Sequence, residues 1–100
     1  MSTGAHAVRG VVVCELGGQS RAVCLTLGAL AEIETALGVS GMAALQERLA
    51  TLSAADILAV LAALRRGAGE AVTTADLARE PLTLTEAAHA IVAAFKAAAL

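Results

Sequence analysis

The chain has 100 residues, 58% of them apolar and 16% charged, with a net charge of −2 and a single aromatic residue, Phe95. That length suits one compact domain burying roughly 60–65% of its unfolded surface, and the slight acidic balance offers no basic field to neutralise nucleic-acid phosphates. A mean hydropathy of +0.77 invites a membrane reading, but the longest uncharged stretch, residues 35–46, carries Gly38 and Gly41 and falls short of the ~18 apolar residues a spanning helix needs, so a soluble chain is expected.

Residues 1–7 are small and polar and read as a flexible tail. They show no basic segment leading into an apolar stretch and a cleavage site, so a cytoplasmic protein is expected. Residues 8–26 read as a β-hairpin, with a valine-rich strand over 9–16, a second strand over 20–25, and Gly17-Gly18 supplying the positive φ angles of a tight turn. A two-residue turn pairs Leu16 with Gln19, Glu15 with Ser20 and Cys14 with Arg21, placing Cys14 and Cys24 on opposite faces. A three-residue loop instead pairs Glu15 with Arg21 and Val13 with Val23, leaving the cysteines diagonal. Neither register suits a disulfide.

Residues 27–100 read as helical. The first helix spans 27–37, with Leu27, Leu30, Ile33 and Leu37 on one stripe, Thr26 as N-cap and Gly38 as stop. A short second helix follows Ser40-Gly41 and aligns Met42, Leu45, Leu49 and Leu52. The third begins at the box Ser53-Ala54-Ala55-Asp56 and carries Ile57, Leu58, Val60, Leu61 and Leu64 toward a stop at Gly67, with Arg65-Arg66 complementing the dipole of its last turn. Residues 67–70 read as a flexible connector. Thr73 opens a turn or two of helix that Pro81 ends, and the box at Thr83 to Glu86 opens a last helix with Leu84, Ala88, Ile91, Val92 and Phe95 in one arc. The expected fold is therefore α+β and mainly α, an N-terminal two-stranded antiparallel hairpin followed by a bundle of four to five helices. Its expected core is Val13, Val23, Leu30, Ile33, Leu45, Leu49, Ile57, Leu61, Leu64, Ile91 and Phe95.

No catalytic, cofactor or metal site is assigned. His6 and His89 lack a cysteine or carboxylate at ligand spacing, and Cys14 and Cys24 form no close pair of the kind structural zinc requires. Glu32 and Glu34 do not share a helix face, and Glu47, Asp56, Asp76 and Glu80 read as solvated carboxylates. Gly67-Ala68-Gly69 lacks the preceding strand and following Lys-Ser/Thr of a phosphate loop. Alanine occupies positions that on most helices carry charge, as at Ala43-Ala44, Ala62-Ala63, Ala93-Ala94 and 97–99, which favours close approach of another chain. A regulatory helical module would need a basic recognition helix, and none is present.

The stretch Arg9-Gly10 before a glycine-turned hairpin, the run Leu25-Thr26-Leu27-Gly28-Ala29-Leu30-Ala31-Glu32-Ile33-Glu34, the segment Ser53-Ala54-Ala55-Asp56-Ile57-Leu58 and the ending Leu64-Arg65-Arg66-Gly67-Ala68-Gly69 together resemble the small gene transfer agent family related to phage tail assembly chaperones. Gly17-Gly18 and Val11 depart from its usual polar turn and its acidic residue after Arg-Gly. The resemblance implies a non-enzymatic morphogenesis protein without cofactors, a tail assembly chaperone whose partners are the tape measure protein and the tail tube protein. The alternatives are a structural tail tube component and a small helical interaction module of a prophage. Weak self-association through the hairpin is expected, with no nucleic-acid or membrane partner. Alkylation of the denatured chain without reductant should modify both Cys14 and Cys24; a mass spectrum lacking the two adducts would show a disulfide.

Overall fold

Two successive glycines fix the first element. In the computed structural model, which describes residues 10–99, Gly17 and Gly18 have φ of 64° and 84°, the left-handed pair of a two-residue hairpin turn. Strand β1 (Val11–Leu16) therefore pairs antiparallel with β2 (Gln19–Cys24) in the register Leu16 with Gln19, Cys14 with Arg21 and Val11 with Cys24. This is the two-residue alternative, and both cysteines are free. β1 starts at Val11, later than expected, and β2 keeps its expected length but lies one residue earlier, stopping before Leu25. Arg9, Val8 and the tail at 1–7 lie outside the described residues.

Five helices follow: α1 (Leu27–Leu37), α2 (Met42–Leu49), α3 (Ala54–Gly67), α4 (Thr74–Ala78) and α5 (Leu84–Ala98). Four of them start where a hydroxyl can accept an orphan amide. Thr26 caps α1, and Ser53, Thr73 and Thr83 form reciprocal capping boxes with Asp56, Asp76 and Glu86, each replacing an unsatisfied helix terminus at about 1 kcal/mol. Helix α3 is central, with Val60, Leu61, Ala62, Ala63 and Leu64 all buried. It packs against α1, α4, α5 and β2, while β1 lies over α5.

Four expectations change. First, α5 is rotated about its axis. Its buried face is Ala87, Ala90, Ile91 and Ala94, whereas Leu84 is 70% and Val92 56% exposed and Phe95 is half-buried. The small residues face the core, where α5 packs against both α3 and β1. Ala62, Ala63 and Ala94 are thus core residues rather than surface ones. Second, Val13 is 68% exposed, since the register turns Val12, Cys14 and Leu16 toward the helices; Leu30, Leu49 and Ile57 are half-buried against the core. Third, Gly67 lies inside α3, and the left-handed residue after the helix is Gly69, with φ of 102°. A side chain at Gly67 would overlap the Cys24 carbonyl oxygen and crowd Ala29 and Thr26, so this glycine permits close approach of helix and hairpin. Fourth, Arg65 is not a solvated dipole partner but is fully buried.

That burial is made possible by two carboxylates. Arg65 donates from Nε to Glu70 Oε1 at 2.9 Å and from Nη2 to Glu70 Oε2 at 2.7 Å. It also donates from Nη1 to Glu80 Oε1 at 2.7 Å and from Nη2 to Glu80 Oε2 at 3.1 Å. The planar guanidinium can be gripped on two edges in this way, which an ammonium cannot match. Glu80 is therefore an ion-pair partner and not a free surface charge, and Glu70 pins the 67–70 segment that reads as a flexible connector. Arg21 of β2 reaches the same carboxylate, Nη1 to Glu70 Oε2 at 3.4 Å, while its Nε is buried without a partner among the described residues. At the other end of the hairpin, the Gly17 amide donates to Glu86 Oε1 at 3.2 Å, and Gly17 stands against Pro81.

The hydrogen bonds from Arg65 hold the Glu70 carboxyl below its ordinary value. A depressed folded value means that Glu70 contributes stability above the unfolded carboxyl pKa of about 4.3 and loses it as pH falls through the lower folded value. Breaking a fully buried pair costs about 3–5 kcal/mol. Because Glu70 and Glu80 are each partly solvated and each leaves the other in place, Glu70→Gln or Glu80→Gln should cost about 1–3 kcal/mol in urea unfolding at neutral pH. Glu70→Gln should also flatten the loss of stability on acidification. Gly67→Ala should destabilise by about 1–3 kcal/mol because the obstructing atom is main chain, which a thermal melt will register.

Candidate protein-binding groove

Helix α2 is set in place at both ends by polar contacts. At its start, Gly41 takes φ of 89° and its amide donates to Glu34 Oε2 at 2.9 Å, tying the corner to α1. In its last turn, Arg48 donates to the Thr51 carbonyl at 2.8 Å and to Asp56 Oδ2 at 2.7 Å, at the first turn of α3. The Ser53 amide and then the Arg48 guanidinium hold the Asp56 carboxyl below its usual range. Leu45 alone among the residues of α2 is fully buried, and Met42 is 48% exposed.

Between α2 and α5 this arrangement leaves an apolar groove of about 490 Å³. Leu49 and Leu52 line one side, Ile91, Val92 and Phe95 of α5 the other, and Ile57 of α3 joins the lining; Gln46 and Lys96 supply polar groups. A second depression of about 300 Å³ shares Gln46, Phe95 and Lys96 and extends toward Leu25, Met42 and Ala98. Small-molecule sites in this size range carry several convergent polar groups. Here the lining is mostly aliphatic with Phe95 beside it, drawn from α2 and α5, a surface suited to the apolar stripe of another helix. The sequence placed Phe95 in the core and Val92 on the same arc of the helix, so their helix was found but not the side they face. Another depression, between α1 and α3, is lined by Ala31, Ala36, Ala59 and Ala63, with Arg66 bound to Glu32 across it.

The residues weighed for chemistry are scattered. His89 is exposed on α5 and His6 lies outside the described residues. Cys14 is half-buried and Cys24 buried, and burial pushes the Cys14 thiol up, away from the reactive thiolate. Among the described residues no group of three or more His, Cys, Asp or Glu side chains is placed to hold a metal ion, and no helix is long and apolar enough to cross a membrane.

Comparison with curated proteins and with solved structures returns no match. A protein-family model described as phage tail tube protein, GTA-gp10, matches residues 9–100. The match takes in the hairpin, all five helices and the groove between α2 and α5, and the chain belongs to this gene transfer agent and phage tail family.

Proposed function

We propose that the protein works in tail morphogenesis as an assembly chaperone, receiving an amphipathic helical segment of the tape measure protein in the groove between α2 and α5. The observation that supports this is the open apolar channel walled by Leu49, Leu52, Val92 and Phe95 on a mainly helical body. A tape measure is a long helical protein that presents apolar stripes before the tube encloses it, and a helix-lined groove shields such a stripe by the same packing that joins helices in a core. Membership in a family of structural tail proteins agrees with a role without catalysis.

The family description favours a second reading, a subunit of the tail tube. The two differ in what the chain must do alone: a tube subunit stacks into rings, whereas a chaperone stays dispersed and releases its client. Among the described residues the sheet has two strands, little β-surface from which to build a ring wall, and this favours the chaperone.

Co-expression of a tape measure fragment with the protein should raise the fragment's soluble yield, and Val92→Lys should abolish the gain while leaving the thermal midpoint within about 1 °C, because Val92 is exposed. A yield no better than that given by an unrelated helical protein would defeat the chaperone reading. Rings or tubes of the purified protein in electron micrographs would establish the second one.

A further inference from the structure

The hairpin carries an unpaired edge that the groove does not involve. In a two-residue hairpin the residues flanking the turn exchange hydrogen bonds and the pattern alternates from there, so Leu16, Cys14 and Val12 bond to β2 while Val11, Val13 and Glu15 turn their N–H and C=O groups outward. These outward groups have no hydrogen-bond partner among the described residues. The outer edge of β2 is different, because the Cys24 carbonyl is backed by Gly67 at the end of α3. Exposed edges of this kind are usually blunted by lysine, proline or a bulge. β1 reads Val-Val-Val-Cys-Glu-Leu, has none of these, and exposes Val13.

We infer that β1 pairs antiparallel with β1 of a second copy about a two-fold axis through Val13, joining two hairpins into one four-stranded sheet. The outward row is symmetric about Val13. In this register Val13 lies opposite Val13 of the second copy and Val11 opposite its Glu15, so the outward-pointing residues of both strands exchange main-chain hydrogen bonds. No like charges face each other directly, and the Glu15 carboxylate is already held by Ser20 Oγ at 2.6 Å within its own hairpin. The pairing therefore needs no complementary charge from a foreign strand, which makes a second copy the fitting occupant. A six-residue strand, about 20 Å long, offers far less contact than the roughly 1,200 Å² of a stable complex. The dimer is accordingly weak and reversible.

Sedimentation velocity on the full chain from about 10 µM to 1 mM should show a mass rising from 9.9 kDa toward twice that value. Val13→Pro removes the central outward amide without touching a β1–β2 hydrogen bond, and Val13→Lys sets two ammonium groups face to face on an exposed position; both should remain monomeric with an unchanged helical circular dichroism spectrum. Val13→Cys should form an intermolecular disulfide under mild oxidation much faster than Val92→Cys. A wild-type chain that stays monomeric throughout, or a dimer that survives Val13→Lys, would overturn the inference. Neither result bears on the groove, whose variants are read by client solubility.

Discussion

A cation with no access to water organises this fold. Arg65 projects from the last turns of α3 into a place where a guanidinium is tolerable only when carboxylates meet it on two edges. Both carboxylates lie on the segment after the helix, so the chain must turn at Gly69 just beyond α3, present Glu70, pass through α4 and return Glu80 to the same cation. The stretch from 68 to 82 is thus a strap drawn round one side chain. Arg21 joins the hairpin to it through Glu70, and Pro81 meets Gly17 at the turn. The ions add less net stability than their number suggests, because desolvation offsets much of their attraction. They contribute position, since a misplaced strap leaves a charge unpaired in the interior.

Size complementarity does the rest. The hairpin approaches the helices closely where α3 ends in Gly67 and where α5 presents Ala87, Ala90 and Ala94. With alanines inward, the larger apolar residues of α5 stand on its flanks, and Val92 and Phe95 become the wall of a groove instead of the centre of a core. One choice of small residues thus accounts both for the seating of the sheet and for the opening beside α2.

The parts of this architecture that were legible in the sequence are those governed by neighbours. The turn at Gly17-Gly18, the caps Thr26, Ser53, Thr73 and Thr83, and the stop at Gly38 depend on residues within a few positions of one another, and each stands where the local pattern placed it. The phase of α5 was not legible because alanines sit between its larger residues on every side, so that two stripes compete and only the hairpin resting above decides. Arg65 and Arg66 are adjacent and chemically identical, yet one is buried between Glu70 and Glu80 while the other pairs with Glu32 at the surface. Nothing local separates them; the difference comes from which carboxylates the strap returns. The groove escaped notice for the same reason, being a product of helix rotation.

The bond between the Gly17 amide and Glu86 has a consequence for how the chain reaches its native state. It joins positions 69 residues apart, and the same carboxylate oxygen accepts the Thr83 amide in the cap of α5. The hairpin can close on its own within microseconds, but its seat is α5, which follows four other helices along the chain. Until that helix is complete, the core-facing side of the hairpin, with Leu16 and Val23, has only part of its cover. Closing so long a loop costs conformational entropy that no local contact returns. The hairpin therefore reaches its seat only once α5 has formed, and until it docks its apolar side is open to the wrong partner.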